Sequence, residues 1–227
     1  MLIDCHVHTS RYSACSHLRP YEACRLAIKR GLDAVVITEH QIQWNKEEIK
    51  ELQREFCEIK LYAGLEVTIM EGIDLVIITK NSGLQIPAMI SFKDLSSHID
   101  LSESFIFVAH LFRWSKEISF KEEEIFSRIH GIEMNSINIL LGGWGKNNMG
   151  LLTSKEYNLY YGIKEKWNLL PLYNTDSHSP LTIGTIANNI PSNSIPEDEK
   201  ELVELLKTTS VQEFQDTKTL IKILKNT

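Results

Sequence analysis

The chain has 227 residues and a net charge of −6, with 24 Lys and Arg against 30 Asp and Glu. Hydrophobic residues make up 43% and charged residues 24%, which is ordinary for a folded domain, and the acidic balance disfavours broad affinity for nucleic acid. No apolar run approaches the ~20 residues that a membrane span requires, so we expect no membrane contact.

Alternating apolar runs and amphipathic segments predict a single α/β domain over residues 1–227. Pro20 suits a helix start and Gly31 suits the residue just after a helix end. Four glycines within 141–150 predict an irregular loop. In chain order, the predicted elements are strand 2–8, helix 21–30, strand 34–38, helix 45–57, strand 59–65, strand 72–79, helix 91–98, strand 105–109, helix 121–129, strand 131–135, helix 153–167, strand 169–174, a polar loop through 184, and closing helices 197–207 and 211–225.

The start of the chain and its cysteines predict a cytoplasmic location. The chain enters a strand at once, without the charged and long apolar regions of a secretory leader. Cys5, Cys15, Cys24 and Cys57 form no CxxC pair, which is typical of reduced thiols. Three of them are expected to pack in the fold. Cys15 lies in a polar loop beside metal-type residues, and a functional role for it stays open.

The first strand carries Asp4, His6 and His8. Side chains two apart share one face of a strand, so these three polar groups would crowd together. Two imidazoles in a mostly buried strand are costly unless something binds them, and a divalent metal is the usual ligand. Asp4 lies too far back to chelate with the pair, and it is expected to accept a hydrogen bond from a ligand histidine.

Further metal-type residues follow the later strands. In a barrel of alternating strands and helices, the carboxyl ends of the parallel strands meet at one mouth, where the chemistry gathers. Residues at successive strand ends therefore predict a single cluster. They are Glu39 and His40, Glu66, His110, Glu133 and Asn135, and Asp176 and His178.

Other polar and aromatic residues have simpler interpretations. His98 and His130 are expected to be structural, with His130 placed at a helix end where a cation is favourable. Trp114 and Trp144 are expected to pack at the core or rim. Glu39 is either close behind the metals or simply solvated.

Six motifs appear in order: Asp4-x-His6-x-His8-Thr9-Ser10, Ile37-Thr-Glu-His40, Gly64-x-Glu66, Ala109-His110-x-x-Arg113, Ile132-Glu133-x-Asn135 and Asp176-Ser-His178-Ser-Pro180. Together they resemble the motif series of the PHP superfamily (polymerase and histidinol phosphatase) over residues 2–185. The resemblance implies a distorted (β/α)7 TIM-like barrel. It also implies two or three divalent ions, zinc, manganese or iron, and phosphoesterase activity.

The resemblance also implies a ligand set. The first ion would be held by His6, His8, Glu66 and Asp176, the second by Glu66, His110 and Glu133, and the third by His40 and His178. The third site departs from the family pattern, which has an acidic residue in the loop after the first strand. This loop reads Ser13-Ala-Cys-Ser-His17 instead. His17 is a candidate substitute, although its spacing is late, so occupancy of the third site stays open.

The implied reaction is hydrolysis of a small phosphorylated metabolite or nucleotide by a metal-activated hydroxide, with Glu66, Asp176 and Arg113 as catalytic residues. Two ions about 3.5–4 Å apart lower the pKa of a bridging water and clamp the attacking and leaving oxygens. Arg113 is expected to bind phosphate, with a surface salt bridge as the alternative. Two other functions stay open: a DNA- or RNA-directed nuclease, and a metal-binding barrel without turnover. The sequence leaves open the substrate, the metal and the oligomeric state.

Overall fold

The computed structural model describes residues 1–112, 118–140 and 154–226. The strands are β1 Leu2–Val7, β2 Ala34–His40, β3 Lys60–Thr68, β4 Asp74–Thr79, β5 Ser104–Ala109, β6 Gly131–Asn135, β7 Leu170–Tyr173, β8 Ile186–Asn189 and β9 Gln212–Gln215. The helices are α1 Pro20–Lys29, α2 Lys46–Glu55, α3 Phe92–Leu95, α4 Phe120–Phe126, α5 Ile137–Leu140, α6 Ser154–Trp167, α7 Glu199–Thr208 and α8 Thr217–Asn226.

The strands form one sheet in the order β7-β6-β5-β4-β3-β2-β1-β8-β9. Strands β1, β2 and β3 run parallel, as do β5, β6 and β7, and β4 lies antiparallel between β3 and β5. The two ends of the sheet approach each other, because the backbone N–H of Tyr173 donates to Asn188 Oδ1 at 2.8 Å and Val7 forms a bridge to Ser177. The sheet is thus a nearly closed barrel, which confirms the predicted α/β TIM-like fold.

Alternate side chains of the strands face opposite sides of the sheet. On β2, Ala34 and Val36 join the cluster inside the barrel, whereas Val35 and Ile37 pack outside it. Helix α7 contributes to the interior cluster, with its buried residues packed against residues from six strands. The barrel interior is therefore apolar at the end that α7 closes. The α7 residues in this cluster are Leu202, Val203 and Leu206.

The C-terminal quarter differs from the prediction. The segment after Gly184 contains β8, and the predicted helix 211–225 is β9 followed by α8. Both short strands are rich in Asn and Gln and lack the apolar alternation that marks a strand. They are strands because β8 pairs with β1 and β9 pairs with β8.

Helix α5 was not predicted, and the other elements follow the predictions to within a few residues at their ends. Helix α2 begins at a capping box. The Asn45 side chain accepts the backbone N–H groups of Glu47 and Glu48, and the Glu48 side chain accepts the backbone N–H of Asn45. Across the described ranges, each helix is too short or too polar to cross a membrane. The predicted loop 141–150 lies outside the described residues, as do Trp114 and Trp144.

Candidate metal centre

The metal-type residues predicted at the strand ends meet at one end of the barrel. His6 lies in β1 and His8 directly follows it, and β1 has a register shift against β2 between Asp4 and Val7. Thr38 Oγ1 occupies the shift and accepts the backbone N–H of Val7 at 3.1 Å. Both rings are fully buried, and their Nε2 atoms lie 3.0 Å apart.

Three groups of ligand atoms form where these residues converge. In each group the imidazole or carboxylate atoms all lie within 4.8 Å of one another, so one ion could contact every member. The groups, searched over the described residues, are His6, His8 and Asp176; His6, Glu66 and His110; and His8, His40 and His178. The structure therefore brings seven of the nine predicted ligands into three overlapping groups.

Glu66 links the groups, because its two oxygens face different histidines. Oε1 lies 3.1 Å from His110 Nε2 and 3.6 Å from His6 Nε2. Oε2 lies 2.9 Å from His40 Nδ1 and 3.3 Å from His8 Nε2. A buried carboxylate in this position can bridge two neighbouring cations, which is the role that the resemblance implied for it.

Asp176 supplies a direct test of whether the centre suits a metal. Its Oδ2 accepts a hydrogen bond from Asn138, but its buried Oδ1 has no hydrogen-bond partner. Oδ1 lies 3.4 Å from the Nε2 atoms of both His6 and His8. A buried carboxylate oxygen without a partner is costly, and a cation shared with the two imidazoles would satisfy it. The donor set of imidazoles and carboxylates fits zinc, iron or manganese.

Glu133 holds the His6 ring in place. Its Oε1 lies 3.1 Å from His6 Nδ1 and also accepts from Asn174, and its Oε2 accepts the backbone N–H of His110. With Nδ1 bonded to Glu133, the Nε2 atom of His6 faces the other ligands. Glu133 thus lies behind His6, and it is not in any of the ligand groups found among the described residues.

Asp4 does not meet a histidine ring, so the expectation that it orients one is wrong. It accepts the Thr175 hydroxyl at 2.5 Å and the backbone N–H groups of Thr175 and His6. Asp4 therefore ties β1 to the segment that follows β7. The register shift in β1 accounts for the difference, because it breaks the simple alternation from which the shared face was predicted.

His8 is oriented through a chain of hydrogen bonds that the sequence analysis left unresolved. Its Nδ1 lies 3.2 Å from Ser13 Oγ, and Ser13 donates to Glu39 Oε2 at 2.6 Å. Glu39 is fully buried and also accepts from Thr9 and from Trp44 Nε1. Glu39 therefore lies behind the ligands and is not solvated. Ser13 and Trp44 were missed, since their role depends on a fold-level contact with Glu39.

His110 has a strained backbone, with φ of +27°. This conformation follows directly after β5 and aims Nε2 at Glu66. Its Nδ1 lies 3.6 Å from Asp74 Oδ2, and Asp74 in turn accepts the Thr68 hydroxyl at 2.6 Å. Asp74 was also missed, because it begins the antiparallel strand β4 and follows no parallel strand.

The outer side of the centre carries His40 and His178, whose side chains are 32% and 26% exposed. The His178 ring stacks on His8 at a centroid distance of 4.2 Å. His17 is exposed and belongs to none of the ligand groups in the described part of the chain. Cys15 of the same loop also reaches the centre, with its Sγ 3.3 Å from His40 Nε2.

The charges of the centre perturb its titrations. Burial raises the pKa of Glu66 and Asp176, but the neighbouring histidines outweigh it and hold both pKa values well below their usual range. Burial lowers the pKa of His6 and His110, yet the carboxylates reverse this and raise the pKa of His110 to about 9. Without a metal, the carboxylates therefore draw protons onto the imidazoles, which is the same attraction that would hold a divalent cation.

On the outer side the pKa shifts have the opposite sign: the pKa of an imidazole falls and the pKa of an acidic group rises. Burial, with the His8 charge, lowers the pKa of His178 to about 4. Burial also raises the pKa of the Cys15 thiol, and the charges of Glu66 and Asp176 add to that shift.

An open cavity of about 550 Å³ leads to the centre. Its described lining contains no Lys or Arg. Arg113, the predicted phosphate-binding residue, lies outside the described residues. The cavity is lined by Cys15, His40, Glu66, Thr68, Asp74, Ile137, Asn138, Asp176, His178, Ser179 and Thr182.

The two remaining histidines lie away from the centre. His98 is exposed. His130 Nδ1 accepts the backbone N–H of Ile106, and its ring stacks on Phe105. Burial, together with the Lys207 charge, lowers the pKa of His130 to about 4. His130 is structural, as predicted, but as a neutral acceptor and not as a cation at a helix end.

Comparisons with known proteins agree with the fold. In solved structures, the chain is similar to PsfC from Pseudomonas syringae PB-5123, with 13% identity, a TM-score of 0.67, and coverage of 99% of this chain and 96% of that chain. It is similar to a two-domain protein from Bacteroides vulgatus ATCC 8482 that contains a predicted PHP-like metal-dependent phosphoesterase, with 16% identity, a TM-score of 0.62, and coverage of 100% and 69%.

A third similar structure is an amidohydrolase from Chromobacterium violaceum with bound sulfate and no metal, with 12% identity, a TM-score of 0.57, and coverage of 95% of this chain and 99% of that chain. At these identities the similarities show the fold alone. A comparison with curated proteins found no match. A family model of the PHP domain matches residues 4–214, nearly the whole chain. The chain belongs to the PHP domain family.

Proposed function

We propose that the protein is a metal-dependent phosphoesterase that hydrolyses a small phosphorylated metabolite or nucleotide. The observation that carries this proposal is the buried Oδ1 of Asp176. This oxygen has no hydrogen-bond partner and lies near the Nε2 atoms of His6 and His8. Such an arrangement is stable when a cation is shared among the three groups. The family and the name of the Bacteroides vulgatus protein support phosphoester hydrolysis as the reaction.

The chain's own residues divide into those that would hold metal ions and those that position them. Glu66 and Asp176 supply the negative charge, and the histidines supply neutral nitrogen ligands. Divalent ions in such a centre provide a nucleophilic water at neutral pH and neutralise charge on the phosphoryl group. Glu133 and Ser13 hold the rings of His6 and His8, so that each Nε2 faces inward.

The cavity favours a small substrate. Its volume of about 550 Å³ lies within the range of about 300–1,000 Å³ that small-molecule sites occupy. The described lining offers Asn138, Ser179 and Thr182 as neutral hydrogen-bonding groups and no cationic side chain. A nuclease needs a basic track along the nucleic-acid backbone, so the lining and the net charge of −6 disfavour one.

The proposal extends to the metal and the location. Zinc, manganese and iron all suit imidazole and carboxylate ligands. The four cysteines are free, and Cys15 and Cys57 are exposed, which is consistent with a reducing cytoplasm.

The test measures bound metal by elemental analysis and hydrolysis of a generic aryl phosphate with added manganese. We expect Asp176→Ala to lower kcat/KM about a thousandfold, since metal-ion catalysis supplies several kcal/mol. His98→Ala, an exposed histidine far from the centre, is the matched control and should leave both quantities unchanged. Full activity in Asp176→Ala, with circular dichroism showing an intact fold, would contradict the proposal.

The same assay addresses the alternatives. A panel of phosphorylated metabolites and oligonucleotides, each at two salt concentrations, identifies the substrate class. Strongly salt-dependent hydrolysis of oligonucleotides would replace the proposal with a nuclease. Stoichiometric metal without hydrolysis of any phosphoester, or with hydrolysis of amides only, would favour a scaffold or an amidohydrolase.

A further inference from the structure

Cys15 lies on the open side of the metal centre. Its side chain is exposed, it lines the cavity, and its Sγ lies 3.3 Å from His40 Nε2. The other three cysteines are not part of this lining: Cys5 and Cys24 are buried, and Cys57 is exposed on the surface.

The loop that carries Cys15 is fixed on both sides of the cysteine. Before it, Ser13 donates to Glu39. After it, Ser16 donates to the backbone oxygen of His8 at 2.9 Å, and the backbone N–H of His17 donates to the oxygen of His178 at 2.9 Å. These hydrogen bonds connect the loop to His8 and His178, so the loop holds the Cys15 thiol at the cavity.

Two observations point to a metal ion on this side of the centre. His40 and His178 form a group with His8 whose nitrogens all lie within 4.8 Å. The buried Oδ1 of Asp176, which has no hydrogen-bond partner, lies 3.5 Å from His178 Nδ1 on a wall of the same cavity. Imidazole nitrogens and a carboxylate oxygen beside a thiol are typical ligands of zinc.

We propose that Cys15 is a thiolate ligand of a divalent ion held with His40 and His178. The inference rests on the proposed function, because it completes the same metal centre. Binding breaks the S–H bond and releases the proton to solvent, while the sulfur lone pair forms the bond to the ion. Thiolate is a soft ligand, so this outer position prefers zinc over manganese, whereas the inner positions hold only nitrogen and oxygen ligands.

A different reading of the geometry makes Cys15 a nucleophile. His40 contacts both partners that such a role needs, since its Nε2 lies 3.3 Å from Cys15 Sγ and its Nδ1 lies 2.9 Å from Glu66 Oε2. The acidic surroundings argue against this role, because the carboxylates of Glu66 and Asp176 line the same cavity as the thiol and leave an unligated anion there without a counter-charge. A divalent ion supplies that counter-charge, which favours the ligand role.

The test uses metal-free protein reconstituted with Co²⁺, a spectroscopic substitute for zinc, without any substrate. We expect a near-ultraviolet thiolate-to-cobalt charge-transfer band in the wild-type chain. Cys15→Ser should lose the band and one equivalent of bound metal, whereas Cys57→Ser should keep both. Absence of the band in the wild-type chain, or its persistence in Cys15→Ser, would overturn the proposal.

Alkylation with iodoacetamide, followed by mass spectrometry, separates a ligand from a nucleophile. A ligand predicts that zinc protects Cys15 while Cys57 reacts at an unchanged rate. Faster alkylation of Cys15 than of Cys57 in the metal-free chain, with no protection by zinc, would establish the nucleophile instead.

Cys15→Asp sharpens the proposal further. A carboxylate should restore the lost equivalent of metal without the charge-transfer band and should shift preference towards manganese in competition with zinc. Bound metal without a thiolate band in the wild-type chain would refute the Cys15 inference alone. Absence of any bound metal would refute the proposed function itself.

Discussion

The two ends of the barrel are built from the same strands but are stabilised by opposite means. Strand β3 shows the contrast within five residues: Tyr62 packs into the apolar cluster under α7, whereas Glu66 lies among four histidines. At the closed end, folding removes apolar surface from water. At the mouth, folding buries the carboxylates of Glu66 and Asp176 among imidazole rings.

The difference teaches where stability and function reside. Apolar packing at the closed end contributes independently of pH and of bound metal. The mouth depends on protonation or on metal, because each buried carboxylate needs a cation or a proton near it. The comparison therefore predicts that changes at the closed end affect folding alone, and that changes at the mouth affect metal binding first.

Truncation at the closed end should give the largest effect on stability. Leu206 of α7 is 1% exposed within the interior cluster, so Leu206→Ala is expected to lower the free energy of unfolding by about 2–5 kcal/mol. Urea denaturation measures this loss, and Leu181→Ala, at a residue 67% exposed, serves as the control. The folded variant should keep its full metal content. A loss of metal at temperatures where Leu206→Ala is folded would contradict the claim that changes at the closed end affect folding alone.

Removal of metal should make the mouth sensitive to pH. The pKa of His110 is raised to about 9 from 6.5, so its proton stabilises the folded metal-free protein fully below pH 6.5, and this contribution is lost as the pH rises through 9. A shift of this size corresponds to about 3 kcal/mol. Metal ligation needs neutral imidazole, so it strengthens over the same range.

Thermal unfolding with chelator and with added zinc measures this dependence. The difference in Tm between the two conditions should widen as the pH rises from 6.5 to 9. His110→Asn should flatten the slope of the metal-free protein. A constant difference in Tm across this range would show that the carboxylates do not stabilise protonated His110.

The positioning residues should give the smallest effect. Glu133 contacts the His6 ring at Nδ1 and not the inward-facing Nε2, so Glu133→Gln is expected to weaken metal affinity by about 10–100-fold without abolishing binding. Competition with a chromophoric chelator measures the affinity, and Glu55→Gln on the exposed end of α2 is the control. Complete loss of an ion in Glu133→Gln would instead make Glu133 a direct ligand.

The sequence predicted the metal-type residues better than the residues that orient them. Ligand-type residues at successive strand ends were enough to identify His6, Glu66 and His110 as neighbours, because parallel strands place their carboxyl ends together. The groups that orient them were not predictable in the same way. The sequence predicts Asp4 as the partner of a histidine ring, but the register shift in β1 leaves that role to Glu133, which is 127 positions from His6.

The strands near the C-terminus were not predicted for a related reason. The side chain of Asn188 connects β8 to its neighbours. It donates to the backbone oxygen of Ile3 at 3.1 Å and accepts the backbone N–H of Tyr173 at 2.8 Å. Polar residues used in this way leave no apolar pattern to detect. The closing helix 197–207 was predicted well because α7 carries the helical spacing of buried leucines.

His110 and Asp176 both have left-handed backbone conformations, with φ of +27° and +50°. Such conformations cost about 1–3 kcal/mol each for residues other than glycine. Optimising this barrel for thermal resistance alone would therefore favour glycine at both positions, and each such gain would delete a member of the metal-type groups. Redesign of the scaffold must keep residues 110 and 176 unchanged and seek its improvements elsewhere in the chain.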